Sequence, residues 1–169
     1  AFTIALLVFA LSMIPAGRLQ DKKGPALLAT TGGILLGSGM ILSSFTKSLT
    51  WLYLSYGLVG GLGIGLTYVT PITTCVKWFP DKKGLITGLA VFGFGAGSIV
   101  FAPLWTLMIG AMGWRNTFLA TGMLFLAMVI PSAQLLKNPP QGFTPSGSKP
   151  KSSVKVVSDF GPLEMLKTL

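Results

Sequence analysis

The sequence predicts an all-α membrane protein, a bundle of transmembrane helices with five spans inside residues 1–136. Three observations predict it. Of the 169 residues 51% are apolar and only 10% are charged, whereas soluble domains carry about a quarter charged residues. The charges also fall in short breaks that leave uncharged runs of 17, 23, 29, 31 and 21 residues. About 20 apolar helical residues cross the ~30 Å hydrocarbon core. Finally, the runs show no period-two alternation, which excludes a β-barrel, and lipid leaves no partner for exposed backbone groups outside helices.

Taken in order, the first span is expected over residues 2–16, uncharged up to the loop Gly17-Arg18-Leu19-Gln20-Asp21-Lys22-Lys23-Gly24-Pro25. The second, 26–45, carries Gly33-xxx-Gly37, and the third, 51–76, carries Gly61-xxx-Gly65 and Pro71. Trp51 and Trp78 near the two ends of that third span read as interfacial anchors, and Cys75 inside it as packing. The fourth, 85–110, has Gly84-xxx-Gly88 and Gly93-xxx-Gly97 at and within it, with Pro103 and a packing Trp105. The fifth, 117–136, contains Pro131. Helices in lipid associate through small residues, so these glycines imply close approach; tight packing in any polytopic protein explains them as well as transport does. The three prolines remove backbone donors and bend their helices. Residues 137–169 are expected to form a cytoplasmic linker, rich in Pro, Gly, Ser and Lys over 138–157.

Eleven of the 13 basic residues lie in the loop at Arg18–Gly24, the loop at Lys77–Lys83 and the tail, against Lys47 and Arg115 in the alternating loops. The positive-inside rule then sets the tail in the cytoplasm and residue 1 outside, in a multi-pass protein of the cell membrane. The start inside apolar residues, without methionine or a signal-peptide pattern, and the amphipathic end lead us to expect further spans on both sides. Charge parcelled into short loops does not suit nucleic acid. Cys75, the single cysteine, allows no intramolecular disulfide. With no histidine and no carboxylate in any span, there is no metal site, no cofactor site and no convergent set for catalysis, so an enzyme is excluded.

The first basic loop also carries a chemical logic. Gly17 admits a neighbouring helix, Gly24 permits a tight turn, and Asp21 is placed to accept from an adjacent helix amino terminus. Lys22 and Lys23 face anionic headgroups. A solvated turn with topology-setting charges is the plainer reading of the same residues. Asp-Lys-Lys-Gly recurs at Asp21 and Asp81, 60 residues apart, which we read as two turns under similar demands.

Gly17-x-Leu19-x-Asp21-Lys22-x-Gly24 resembles the signature between the second and third helices of the major facilitator superfamily, departing where Pro25 and Ala26 replace a basic pair. Several further stretches are similar to the oxalate:formate antiporter family and, more distantly, to the monocarboxylate transporters. They are Tyr68-x-x-Pro71-Ile72, the run Val76-Lys77-Trp78-Phe79-Pro80-Asp81-Lys82-Lys83-Gly84, and the glycine-rich Gly93-Phe94-Gly95-Ala96-Gly97. Gly113-Trp114-Arg115-x-x-Phe118 resembles the turn between helices five and six, and Glu164-Met165-Leu166-Lys167-Thr168 what precedes helix seven. The resemblance implies a major-facilitator-type bundle in which the five spans are helices two to six of twelve. It also implies a gate at Gly17, Asp21, Lys22 and Gly24, and a functional monomer completed by the carboxy-terminal half.

For a substrate site the spans offer aromatics rather than charges. Tyr68 lies nine residues before Lys77 and Phe94 eleven after Lys83, so at ~1.5 Å per residue both sit about 14–17 Å deep, near the midplane. The Tyr68 hydroxyl can donate to a carboxylate, and ring edges carry partial positive charge. Both rings also suit plain packing, a reading that weighs more for Phe94 than for Tyr68, which stands near Thr67 and Thr70. The resemblance implies transport of small organic acid anions by alternating access, as oxalate/formate exchange. Proton-coupled symport of monocarboxylates such as lactate or pyruvate, and a non-transporting membrane receptor or scaffold, remain the alternatives.

Overall fold

A computed structural model describes residues 1–140 and contains helices and no strand among them. Helix α1 (Phe2–Lys23) is followed by α2 (Pro25–Ser44) and, after a four-residue connection, by the long α3 (Leu49–Trp78). A 3₁₀ turn (Pro80–Lys82) leads into a helical stretch, Lys83–Gln134, broken at Gly113. We call its two parts α4 (83–112) and α5 (114–134). Four helical stretches are long and apolar enough to cross a membrane. The last of them contains two helices, α4 and α5, about 45 and 31 Å long at ~1.5 Å per residue, each long enough for a crossing of the ~30 Å hydrocarbon core.

Helix covers nearly all residues of each expected span, but the helix ends differ from the expected ones. α1 runs on through Lys23 where a loop was expected from Gly17. Arg18, Leu19, Gln20 and the two lysines are good helix formers, and Lys22 and Lys23 sit in the last turn, where the helix dipole favours cations. Gly24 ends the helix at φ 85°, ψ 161°, a backbone region that is essentially glycine's alone. Pro25 then opens α2 with its φ already helical. Gly113 has nearly the same conformation, φ 80°, ψ 160°. One glycine therefore turns the chain between α1 and α2 and another between α4 and α5, at opposite ends of the bundle. The two Asp-Lys-Lys-Gly copies do not share a conformation. The first closes a helix before the Gly24 turn, whereas Asp81 lies in the 3₁₀ turn and Gly84 inside α4.

Contacts fix the helix directions. A Cβ placed on Gly61 would meet Ala5 and Val8, and one on Gly65 would meet Phe9 and Ser12, so α1 runs parallel to α3. Gly32 faces Leu66 and Thr67, and Gly39 faces Gly60 and Ser55, so α2 is antiparallel to α3. Gly33 faces Val129 and Gly37 faces Leu126 and Gly122, which sets α2 antiparallel to α5. α2 is thus the central helix, packed through bare glycine surface on two neighbours. Ser43 Oγ lies 3.0 Å from Ser55 Oγ inside the α2–α3 contact, where α3 is wound as a π-helix over Tyr53–Gly60.

The interior is small: Ala16, Leu28 and Val69 cluster with Met13 and Leu66. Many large apolar side chains, among them Leu7, Phe92, Ile99 and Leu107, point outward, as lipid requires. Close backbone approach and buried hydroxyls take over the cohesion that water would drive in a soluble core. The glycines of α4 depart from expectation. Gly84, Gly88, Gly93, Gly95 and Gly97 have open space where a Cβ would stand, so nothing among the described residues packs on that ridge. The expected linker lies mostly outside the described residues, as does the stretch Glu164 to Thr168.

Candidate functional site

Tyr68 and Phe94, expected at similar depth, are in contact. Their ring centroids lie 5.5 Å apart at 75°, an edge-to-face pair. A third ring joins them: Phe9 of α1 stands 5.6 Å from Tyr68 at 73°. Tyr68 is therefore held between rings from α1 and α4, each pair contributing about 0.5–1.5 kcal/mol beyond its buried area. Phe9 was missed although the same count finds it, since it lies nine residues before Arg18 as Tyr68 lies nine before Lys77.

The Tyr68 ring is half-buried and its hydroxyl takes no hydrogen bond from the described residues, while the Phe94 ring is 65% exposed. This makes a weakly polar wall with one free donor and positive ring edges. No group of His, Cys, Asp or Glu among the described residues is arranged to hold a metal ion. A carboxylate could dock on the wall, but full neutralisation of its charge would require a cation from elsewhere.

The backbone around Tyr68 is shaped by Pro71 inside α3, which donates no hydrogen bond to the turn before it. Hydroxyls crowd the same stretch: Thr67, Thr70 and Thr74 each donate to a carbonyl four residues back, at 2.7–2.8 Å. Such back-bonding bends helices further.

At the lysine-rich end, Asp21 Oδ1 accepts from Lys77 Nζ at 2.7 Å. This differs from the expected contact with a helix amino terminus. Because α1 continues to Lys23, Asp21 sits on a helix flank beside the last turn of α3 rather than in a loop. Gly24 makes the expected turn. Lys22 is exposed, and Gly17 has open space where a Cβ would stand, so the helix it was expected to admit is not among the described ones. The same end is tied by Trp78 Nε1 donating to Lys137 O at 2.8 Å and Gln134 Nε2 donating to Thr30 Oγ1 at 3.0 Å.

A residue that the sequence reading passed over lies one position before Asp21. Gln20 is 1% exposed. Its Nε2 donates to Thr74 Oγ1 at 3.1 Å and to Thr70 O at 3.3 Å, and its Oε1 accepts from Thr73 Oγ1 at 2.5 Å. A lone glutamine in a charged stretch gives no sequence signal of burial; the three threonines spaced around Pro71 were the available hint.

At the opposite end a pocket of about 180 Å³ is lined by Met40, Tyr56, Trp105, Ile109, Trp114 and Phe118, together with Thr117 and Thr121. Trp105, expected as packing, forms part of its wall. Trp51, expected as an anchor, donates from Nε1 to Leu42 O at 3.0 Å, while Arg115 stacks over Trp114 at 5.1 Å and donates to Thr46 O at 3.3 Å.

Residues 1–167 match the family model described as Major Facilitator Superfamily. Among curated relatives, the uncharacterized MFS-type transporter YhjX of Escherichia coli (strain K12) is 36% identical over 141 residues, 83% of this chain and 35% of that protein. The oxalate:formate antiporter of Oxalobacter formigenes is 33% identical over 168 residues, 99% of this chain and 39% of that protein. Monocarboxylate transporter 13 of Rattus norvegicus is 42% identical over 118 residues, 69% of this chain and 27% of that protein. The chain thus spans between about a quarter and two fifths of the length of these relatives.

Proposed function

This chain belongs to the Major Facilitator Superfamily, a family of transporters rather than enzymes, and on that premise we propose that the protein exchanges small organic acid anions across the cell membrane by alternating access. The observation that carries the reading is the wall Phe9–Tyr68–Phe94, an uncharged aromatic surface with a free hydroxyl at mid-depth. The match to an oxalate:formate antiporter along 99% of the chain supports the substrate class.

In this reading α1 to α5 are helices two to six of twelve, with the lysine-rich end cytoplasmic and residue 1 outside. The five helices rock as a body against the second half of the same polypeptide, around a site near the midplane. Tyr68 donates to the substrate carboxylate, and Phe94 with Phe9 shapes the cavity and excludes water. The cation that balances the anion comes from outside this chain. Gly17, Asp21, Lys22 and Gly24 form the cytoplasmic gate, where the Asp21–Lys77 pair holds α1 to α3. The working unit is a monomer, with no cofactor and no metal.

A second reading has an observation of its own: a monocarboxylate transporter is 42% identical over 118 residues. Proton-coupled symport would place a protonatable group on the remaining helices. Full-length protein in proteoliposomes separates the two. Uptake of labelled oxalate or formate that requires internal anion and ignores a proton gradient supports exchange. Gradient-driven uptake of lactate into empty vesicles overturns exchange in favour of symport.

A further inference from the structure

The α1–α3 contact changes character along its length. Toward the end bearing residue 1 it is bare backbone, Ala5 on Gly61 and Ser12 on Gly65. At the lysine-rich end the contact is made by one carboxamide, that of Gln20, against three threonine positions that bracket Pro71. Three of its four hydrogen-bonding positions are used in a site 1% exposed, where an unmet polar group costs the most. One of its partners, Thr70 O, also accepts from Thr74 Oγ1 at 2.7 Å. Gln20 therefore grips α3 in the turns around Pro71, its nearest partner, Thr70, two residues from Tyr68. Its neighbour Asp21 holds Lys77 further along the same helix.

We propose that Gln20 is a positioning residue. Its carboxamide fixes the bent stretch of α3 against α1 and so sets the placement of the Tyr68 ring between Phe9 and Phe94. The assignment rests on the reading of Tyr68 as part of the substrate wall. It goes beyond that reading by making the residue before Asp21 the link through which movement at the lysine-rich end reaches the wall. Gln20→Leu leaves an apolar side chain one bond shorter and removes all three hydrogen bonds. Thr73→Val removes one partner and leaves Gln20 in place.

Two measurements on the full-length protein test it. The first is transport in proteoliposomes of whichever anion among oxalate, formate and lactate the wild type takes up. The second needs no substrate. In a Tyr68→Cys, Cys75→Ser background, which replaces the exposed native thiol, the rate of modification by a water-soluble methanethiosulfonate reads the exposure of position 68. Gln20→Leu is expected to change that rate and to raise KM about tenfold, with the maximal rate less affected. Thr73→Val should shift both in the same direction by less, and should add little on top of Gln20→Leu. A changed modification rate with unchanged KM would uphold the clamp and remove Tyr68 from the substrate wall. An unchanged rate in both variants overturns the proposal, as does lower yield or thermal stability with rate and KM at wild-type values. Should Gln20→Leu not fold, Thr73→Val alone decides between these outcomes.

Discussion

Alanine at two adjacent glycines of α3, Gly60 and Gly61, should move stability in opposite directions. A Cβ on Gly61 would stand 2.8 Å from Ala5 O, 3.2 Å from Ala5 Cα and 3.1 Å from Val8 Cβ. Carbon–carbon contacts relax at about 3.5–4.0 Å. Two of the three obstacles are main chain of α1, which cannot rotate away, so α1 must retreat by about 0.5 Å along a parallel contact that also holds Gly65 and Gln20. Overpacking of this kind costs about 1–3 kcal/mol, offset by the roughly 1 kcal/mol that alanine gains over glycine inside a helix. Gly61→Ala should therefore lose up to about 2 kcal/mol. At Gly60 the nearest neighbour of an added Cβ is Ser55 O at 3.7 Å, ordinary contact. The backbone there is helical, so Gly60→Ala should gain up to about 1 kcal/mol. The assay is the thermal midpoint of the full-length protein in one detergent, followed by loss of the monodisperse peak on gel filtration. Gly60→Ala melting at or below Gly61→Ala would refute the packing of α1 on α3 described above.

Three other outcomes follow from the same geometry. Asp21→Asn removes an ion pair whose partners are 38% and 69% exposed. The thermal midpoint should barely change, because exposed pairs contribute only about 0–1 kcal/mol, while transport falls at normal membrane insertion; unchanged transport would take Asp21 out of the gate. Gly113→Ala forces a side chain into φ 80°, ψ 160° and should cost about 1–3 kcal/mol, read as a lower melting temperature and reduced yield. Gly24→Ala, at φ 85°, should behave likewise, and wild-type stability in both would mean that the turns are made differently.

The spans were legible because lipid imposes a coarse rule, a long uncharged run, that survives ignorance of every contact. Their ends were less legible. Charge marked Arg18 to Lys23 as loop, yet nothing in those residues opposes a helix, and the stop comes from the backbone of Gly24. The glycine pairs of α2 and α3 do what small residues in lipid were expected to do. Those of α4 face no described helix, and a pattern on one strand of sequence cannot say which neighbour it serves. Tyr68 and Phe94 were found by counting depth from the charged loops, and their contact confirms that the count placed both at one level. Phe9 escaped because the count was not applied to α1. Gln20 escaped for a deeper reason: its burial depends on hydroxyls of Thr73 and Thr74 more than 50 residues away, a pairing that no local pattern encodes. The Asp21–Lys77 pair is of the same kind.

The central claim is that Tyr68 offers its hydroxyl to a substrate carboxylate, and titration of the full-length protein with oxalate by calorimetry, wild type against Tyr68→Phe, tests it most directly. One hydrogen bond to a charged group is worth about 1.5–3 kcal/mol, so the account expects binding to weaken roughly 10- to 100-fold with the fold intact. Equal affinity in the two proteins would contradict it and leave the aromatic wall as packing.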